Sequence, residues 1–262
     1  MSNKDWNQIR CFILDMDGTI YLGNRLFPFI PAFLEAVRAS GREYCFFTNN
    51  SSKNAEFYRE KLRRMGIDAP LERMLTANQV LIEHLVSAHP GKRVYVMGTE
   101  HLVEDFRRAG IRLDDENPEI VVIGFDMSLT YEKLARACRF VREGCVYYGV
   151  NMDYNCPVEG GGFLPDCGSM ARLIEASTGR MPEFFGKPSR RTLDFLCRAT
   201  GCAEHELAVV GDRLYTDIAL AQDTQAASIL VLSGESTRAQ AEAGPVHPDW
   251  IFDSLEDVTG LL

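Results

Sequence analysis

Short, uninterrupted apolar runs alternate along this chain with longer segments in which apolar residues recur at helical spacing. The first run, Cys11–Leu14, is typical of a buried parallel strand because it is short, continuous and flanked by polar residues. Helical spacing follows over 31–40 and stops at Gly41, and a second apolar run occupies 44–47. This order of strand, helix and strand predicts a parallel sheet with right-handed crossovers.

The same alternation continues to the end of the chain. Further strands are predicted at 93–97, 120–123, 145–148, 207–210, 228–232 and 250–252. Helices are predicted at 57–65, 80–86, 102–109, 130–141, 170–176, 189–199 and 217–221. A glycine cluster at 160–162 predicts a loop. The predicted fold class is therefore α/β, with a Rossmann-like parallel sheet as its core.

The domain organisation is inferred from the placement of polar loops, because no change in composition marks a linker. Acidic loops lie near both ends of the chain, and a segment with its own α/β alternation lies between them. We expect a catalytic core formed by 1–78 and 183–262. The segment 79–182 is expected to be an inserted α/β cap domain, since its two ends then lie close together in space.

Composition narrows the classes of function. The chain has 262 residues, of which 46% are apolar and 25% are charged, and its net charge is −9. These values are ordinary for a globular protein and argue against a general nucleic-acid or anionic-membrane binder. They do not argue against an anionic small substrate, because a binding site can be locally positive in an acidic protein.

The location in the cell follows from two further features of the sequence. No apolar run is long enough for a membrane span, and residues 1–5 do not form a secretory signal, so a cytoplasmic protein is expected. The eight cysteines include no CxxC pair and no metal-ligand spacing. We therefore expect eight reduced thiols.

Two carboxylates directly follow the first predicted strand. Asp15 and Asp17 lie at its carboxyl end, where ligands bind in open α/β sheets, and Gly18 gives the backbone a tight path after them. Two neighbouring carboxylates can divide the work of a nucleophile and of a general acid and base. The alternative for these residues alone is a plain Asp-Gly turn.

Three other predicted loops carry complementary groups. Thr48 and Asn49 follow the second strand, Lys187 follows a glycine, and Asp212 ends a later strand with Asp217 five residues on. Carboxylates from separate strand ends form a hard oxygen site suited to Mg²⁺. A hydroxyl, an amide and an ammonium are the groups that a phosphoryl group needs around it.

Together these motifs resemble those of the haloacid dehalogenase superfamily of phosphatases. In chain order they are DMDGT at 15–19, TNNSS at 48–52, GKPS at 186–189 and GDRLYTD at 211–217. The whole chain is similar to the branch that contains the phosphatase NagD and the 4-nitrophenylphosphatases. Within the insert this similarity extends to GFD at 124–126, LTYEKL at 129–134 and NMD at 151–153.

The resemblance implies a role for each residue of the core motifs. Asp15 is expected to be the nucleophile that forms an aspartyl-phosphate. Asp17 is expected to protonate the leaving oxygen and then to deprotonate the attacking water. Thr48 and the backbone amide of Asn49 are expected to bind the phosphoryl group, and Lys187 is expected to pair with the nucleophile and the phosphoryl oxygens.

The resemblance also implies a Mg²⁺ site. Its expected ligands are the side chain of Asp15, the backbone carbonyl of Asp17 and the side chain of Asp212, with Asp217 shaping the coordination sphere. Taken singly, these residues have structural alternatives: Thr48 as a turn cap, Lys187 as a surface charge, and Asp217 as an acid at a helix N-terminus.

The insert is expected to select the substrate. In the resembled branch, the loop that corresponds to Asn151, Asp153 and Asn155 faces the active site, and a solvated turn is the alternative here. Branch members often carry a Gly-Ala-Gly run where this chain has Asp166 and Cys167. The sequence leaves open what these two residues do to packing and substrate contact.

We therefore predict a Mg²⁺-dependent hydrolase of small phosphate monoesters, with sugar phosphates or nucleoside monophosphates as substrates and 4-nitrophenyl phosphate as a surrogate. The cap is expected to keep polymers out, so nucleic-acid polymers and membranes are not expected partners. A mutase using the same aspartyl-phosphate chemistry is an alternative, and so is a non-catalytic regulator phosphorylated on Asp15. The oligomeric state stays open, with a homodimer as one option.

Overall fold

The computed structural model describes residues 4–158 and 161–262 of the chain. Its strands are β1 (Cys11–Leu14), β2 (Tyr21–Leu22), β3 (Arg25–Leu26), β4 (Glu43–Thr48), β5 (Met74–Thr76), β6 (Arg93–Met97), β7 (Arg112–Leu113), β8 (Ile120–Ile123), β9 (Val146–Gly149), β10 (Asn155–Val158), β11 (Gly162–Pro165), β12 (Glu183–Phe184), β13 (Leu207–Gly211), β14 (Ala227–Val231) and β15 (Trp250–Phe252). Its α-helices are α1 (Ile30–Ala39), α2 (Ala55–Arg64), α3 (Ala77–Ala88), α4 (Glu100–Arg108), α5 (Tyr131–Arg142), α6 (Cys167–Thr178), α7 (Arg190–Thr200), α8 (Ala219–Ala221), α9 (Arg238–Ala243) and α10 (Leu255–Thr259).

The chain forms two compact units, each made of more than one segment. The first contains the chain up to Thr48, Arg59–Leu75 and Lys187–Leu262, and the second contains Asn49–Tyr58 and Thr76–Gly186. We predicted a catalytic core at 1–78 and 183–262 and a cap at 79–182. Because these names describe functions, the assignment stays a prediction.

One short segment, Asn49–Tyr58, groups with the second unit although it falls inside the predicted core. Hydrogen bonds within the second unit explain this placement. The Phe125 amide donates to Ser51 Oγ at 2.8 Å, and Thr99 Oγ1 donates to the Ser52 carbonyl at 2.7 Å. The polar side chains that follow β4 thus complete the second unit.

The first unit is built on a six-stranded sheet with the spatial order β15-β14-β13-β1-β4-β5. β1 lies in the middle and pairs in parallel with both β13 and β4, so that Cys11 lies opposite Leu207 and Glu43. Every residue of β1, β13 and β14 is buried, as expected for central parallel strands of continuous apolar sequence.

The second unit contains a five-stranded sheet with the order β12-β9-β8-β6-β7, and β10 and β11 form a separate antiparallel hairpin. Its core lies around β6, β8, α5 and α6 and includes Met97, Val121, Phe140 and Ile174. In the part of the chain that the structure describes, no helix is both long and apolar enough to cross a bilayer. All eight cysteines, which lie within the described residues, are free thiols.

Hydrogen bonds and an ion pair connect the motif at 124–134 of the second unit to the neighbouring strands. Asp126, whose side chain is fully buried, pairs with Lys133 Nζ at 2.8 Å. The same ammonium donates to the Gly98 carbonyl at 3.0 Å and to Ser128 Oγ at 2.9 Å. Thr130 caps α5 by accepting from the Lys133 amide. The motif at 124–134 therefore ties the start of α5 to the carboxyl ends of β6 and β8.

Two predicted elements differ from the observed ones. The helix predicted at 217–221 is a π-helix over Leu214–Ile218 followed by the short α8, and the Ala219 amide donates to the Leu214 carbonyl. The loop predicted at 160–162 is in part a strand, because Gly162 begins β11 opposite Val158. Gly160 lies outside the described residues.

Candidate active site

The candidate active site of the first unit lies where neighbouring strands end. Asp15 directly follows β1, Asp212 directly follows β13, and Thr48 is the last residue of β4. In the strand order, the chain runs from β1 to β4 towards one edge of the sheet and from β13 to β14 towards the other edge. The strand order thus reverses between β1 and β13, which is the position where open α/β sheets bind ligands.

Three carboxylates meet at this position. Asp15, Asp212 and Asp217 each offer one oxygen, and these oxygens lie within 4.8 Å of one another. Asp212 and Asp217 are buried. The π-helix delivers Asp217, whose Oδ2 accepts from the Arg213 amide at 3.1 Å. A Cβ on Gly211 would lie 2.2 Å from Asp217 Cγ, so a glycine is needed where β13 ends.

Lys187 supplies the positive charge of the cluster. Its Nζ lies 2.6 Å from Asp15 Oδ1 and 2.6 Å from Asp217 Oδ1, and its side chain is 2% exposed. Burial alone lowers the pKa of Lys187, but the carboxylates of Asp15 and Asp217 outweigh burial, and the net shift is upward. Lys187 is therefore a buried, charged partner of both acids and not a surface charge.

The acids have unusual pKa values because they are buried together. Burial raises the pKa of Asp15 well above its ordinary range, although Lys187 opposes this shift. Burial, and then the charge of Asp217, raises the pKa of Asp212 to about 7. Burial also raises the pKa of Asp17, while Lys61 and Arg213 act in the opposite direction. A protonated Asp17 is the form that a general acid requires.

The donor set fits a small divalent cation. Three carboxylates face one ammonium, and hard oxygen ligands of this kind are those that Mg²⁺ and similar cations prefer. Gly18 packs directly against the Asp212 carboxylate. A Cβ at this position, which has a φ of +90°, would lie 2.4 Å from Asp212 Oδ2, so a glycine is required. A bound cation would supply the positive charge that these carboxylates otherwise lack.

The predicted site residues fall into two groups. Asp15, Asp212, Asp217 and Lys187 are brought together in the first unit, and Thr48 lies at the end of the strand next to β1. Asp17 lies two residues beyond Asp15 and forms a β-bridge with Tyr21. The roles that we assigned to these residues stay predictions.

The other predicted residues lie in the second unit. Asn49 Nδ2 donates to Asp153 Oδ2 at 2.9 Å, and Asn151 Nδ2 donates to the same oxygen at 3.0 Å. Asn151 and Asp153 are buried, whereas Asn155 is exposed at the start of β10. Asn151 also donates to Asp166 Oδ1 at 3.0 Å. Asn151 and Asp153 thus belong to a buried hydrogen-bonded network, whereas the loop is exposed to solvent at Tyr154 and Asn155.

Asp166 and Cys167 depart from the branch's glycine run without loosening the backbone. Asp166 caps α6 by accepting from the Cys167 amide, and Cys167 is fully buried. The next residue, Gly168, donates through its amide to the Asp153 carbonyl at 2.8 Å. A Cβ on Gly168 would lie 2.3 Å from the Met152 carbonyl oxygen. Close backbone packing is therefore retained one residue later.

Two neighbours of Asp212 were not predicted. Thr19 Oγ1 lies 3.5 Å from Asp212 Oδ1, and the Glu235 amide donates to Asp212 Oδ2 at 2.7 Å. Thr19 stood in the DMDGT motif without an assigned role. Glu235 lies in a short loop after β14 and acts through its backbone amide, so the residue type carried no signal for it.

Comparison with known proteins places the chain in a family. The model for haloacid dehalogenase-like hydrolases matches residues 12–112, and a second model, for HAD-hydrolase-like sequences, matches residues 184–258. The chain belongs to the haloacid dehalogenase-like hydrolases, and the resemblance inferred from its motifs is confirmed. The predicted α/β fold class is confirmed as well.

Particular relatives cover nearly the whole chain. The crystal structure of a 4-nitrophenylphosphatase from Thermotoga maritima is 41% identical, with a TM-score of 0.92, and the match covers 97% of each chain. An acid sugar phosphatase from Staphylococcus aureus is 34% identical over 251 residues, which are 95% of this chain and 96% of the relative. A glycerol phosphate phosphatase from Mycobacterium tuberculosis, in complex with magnesium, is 30% identical with a TM-score of 0.87, covering 97% of this chain and 78% of that one.

Proposed function

We propose that this chain is a Mg²⁺-dependent phosphatase that hydrolyses small phosphate monoesters through an aspartyl-phosphate on Asp15. That it is a phosphoric monoester hydrolase is supported by relatives that are named phosphatases and span nearly its full length. The observation that carries the mechanism is the placement of Asp15 between a buried ammonium and two further carboxylates.

In the first half of the proposed reaction, Asp15 is the nucleophile and Asp17 is the general acid. An oxygen of Asp15 attacks phosphorus while Lys187 holds Oδ1 of the same carboxylate. The bond between phosphorus and the ester oxygen breaks, and protonated Asp17 gives its proton to that oxygen, so that an alcohol leaves. Lys187 offsets charge on the transferring group, as phosphoryl transfer requires.

The second half regenerates the enzyme. Asp17, now a carboxylate, takes a proton from a water molecule whose oxygen attacks the phosphorus of the aspartyl-phosphate. The bond from phosphorus to Asp15 breaks, inorganic phosphate leaves, and both aspartates return to their starting states. Asp15, Asp212 and the backbone carbonyl of Asp17 would hold the cation, with Asp217 shaping its coordination sphere, and the cation would neutralise charge on the phosphoryl oxygens.

We propose that the substrate is a small phosphate monoester such as a sugar phosphate, and that the second unit selects it. The core motifs contact a phosphoryl group that all candidate substrates share, so they do not discriminate among them. We propose that the loop of Asn151, Asp153 and Asn155 recognises the leaving group, and the buried hydrogen bond between Asn151 and Asp153 would fix the shape of that loop.

The proposed function is tested by phosphate release from 4-nitrophenyl phosphate, sugar phosphates and nucleoside monophosphates, with Mg²⁺ or with excess chelator. We expect Mg²⁺ to raise the rate by at least about 100-fold, because a metal contributes several kcal/mol to transition-state charge stabilisation. Full activity in chelator would reject the metal. Conversion of a sugar phosphate to its isomer without free phosphate would favour the mutase, and a stable phosphoprotein without turnover would favour the regulator.

The pKa of Asp212 leads to a second prediction. Because this pKa is raised to about 7, the metal-free folded protein binds protons that the unfolded chain does not. Its stability should therefore fall as the pH rises from about 4 to about 7. Mg²⁺ competes with these protons, so it should raise the Tm more at about pH 8 than at about pH 5.5.

Thermal unfolding with Mg²⁺ and with chelator at both pH values measures this effect. The difference between the two Mg²⁺-induced shifts isolates the cation site from other groups that titrate in the same range. In Asp212→Asn the pH dependence of the shift should be reduced. A Mg²⁺-induced shift in the wild type that is equal at both pH values contradicts the assignment of Asp212 as a ligand.

A further inference from the structure

We propose that the loop of residues 233–236 positions the Asp212 carboxylate for the divalent cation. This loop follows β14, the strand that pairs with β13, and it belongs to the first unit. The inference rests on the proposed function, since it concerns the same cation site, and it adds an element that none of the sequence motifs contains.

Hydrogen bonds from the loop hold Asp212 at both its side chain and its backbone. The Glu235 amide donates to Asp212 Oδ2 at 2.7 Å, and the Ser236 amide donates to the Asp212 carbonyl at 3.1 Å. Ser236 Oγ accepts from the Leu214 amide at 3.2 Å, where the π-helix that carries Asp217 begins. The loop therefore fixes two successive parts of the acidic cluster.

The same loop also contacts the turn that follows Asp15 and Asp17. Ser233 Oγ donates to the Gly18 carbonyl at 2.8 Å, so the loop joins the turn after β1 to the carboxylate after β13. Glycines allow this close approach. A Cβ on Gly234 would lie 2.0 Å from Asp212 Oδ2 and 2.5 Å from Asp212 Cγ, and Gly18 borders the same carboxylate.

These contacts restrict the orientation of the Asp212 carboxylate. Oδ2 accepts from the Glu235 amide, and the carboxylate is packed against Gly18 and Gly234, where no side chain intervenes. A carboxylate has about four lone-pair positions, so one hydrogen bond on Oδ2 leaves capacity for a cation. Groups that orient a metal ligand in this way contribute about 10- to 100-fold to metal affinity.

The test is calorimetric titration of the full chain with Mg²⁺, which reports binding independently of turnover. In Gly234→Ala the new methyl group must displace the Asp212 carboxylate, and we expect Mg²⁺ affinity to fall by about 10- to 100-fold. The Mg²⁺ concentration for half-maximal turnover should rise in parallel, and kcat at saturating Mg²⁺ should recover in part. The matched control is Gly260→Ala in the same unit, where the nearest atom to a new Cβ is 3.8 Å away, and it should bind Mg²⁺ like the wild type.

The outcomes separate the inference from the proposed function. If the wild type binds no Mg²⁺, the metal assignment fails. If Gly234→Ala binds Mg²⁺ as tightly as the wild type, the inference is wrong. The same holds if its Tm in chelator falls while its Mg²⁺ affinity is unchanged, because the loop then has only a structural role. Should Gly234→Ala fail to fold, Ser233→Ala decides, because it removes the hydrogen bond to Gly18 without adding an atom. We expect about fivefold weaker Mg²⁺ binding from that variant, and unchanged affinity would overturn the inference.

Discussion

Replacing Asp15 by Asn is expected to lower the turnover of 4-nitrophenyl phosphate by at least about 10⁴-fold, because an amide is not a nucleophile for phosphorus. The fold should be preserved. Asn has nearly the same shape, and the Asp15 amide still donates to the Val210 carbonyl at 2.8 Å. Initial rates with Mg²⁺, together with thermal unfolding, measure both parts of this prediction.

A matched control separates this effect from the loss of a charge. Asp68→Asn makes the same chemical change at an exposed position of the first unit and should leave the rate unchanged. If Asp15→Asn retained near-normal rates while Asp68→Asn behaved like the wild type, covalent catalysis by Asp15 would be ruled out.

Replacing Asp17 by Asn should separate the two halves of the reaction. The 4-nitrophenolate group leaves without much help from an acid, so Asp15 should still be phosphorylated. Water then lacks its general base, and the steady-state rate should fall by about 10²- to 10⁴-fold. Rapid mixing should therefore show a burst of about one 4-nitrophenolate per enzyme followed by slow release.

The same variant provides its own control with a second substrate. A sugar phosphate has a poor leaving alcohol that needs a proton in the first step, so Asp17→Asn should show no burst with it. A burst of equal size with both substrates would mean that Asp17 does not act as the general acid. A normal steady-state rate would remove it from the mechanism altogether.

Buried parallel strands were the most predictable part of the fold. The runs at 11–14, 93–97 and 120–123 have the predicted bounds because both faces of these strands are covered, which leaves a continuous apolar sequence. Strands of two residues, such as β2 and β7, are too short to form a pattern. The hairpin of β10 and β11 is largely exposed, so no burial pattern distinguished it from a loop.

The π-helix shows a different limit of the sequence. Its residues have no period that separates a π-helix from an α-helix, and the hydrogen bond of the Arg213 amide to Asp217 Oδ2 is visible only in three dimensions. The helix begins at Leu214, three residues before the predicted start, and it carries Asp217, which lies beside Asp15 and Asp212.

Asp15, Thr48 and Asp212 were predictable as neighbours because the strand ends of one parallel sheet converge, whereas Lys187 follows β12 of the other sheet and was predicted from its motif. The hydrogen-bond partners of each side chain could not be predicted from the sequence. The Glu235 amide that donates to Asp212 is a backbone donor, which any residue type supplies, so it has no sequence signature. The prediction for Asn49 concerns its backbone amide and stays a prediction, but the hydrogen bond of its side chain to Asp153 in the second unit was not foreseen. Adjacent residues can turn their side chains to different partners.

Whether Asp15 carries the phosphoryl group is measured most directly in Asp17→Asn. The variant is mixed with 4-nitrophenyl phosphate and Mg²⁺, quenched in acid within the burst, and digested, and the masses of its peptides are determined. We expect the peptide that contains Asp15 to gain the mass of one phosphoryl group, and Asp15→Asn to gain none. A full burst of 4-nitrophenolate with no phosphoryl group on that peptide would contradict the proposed mechanism.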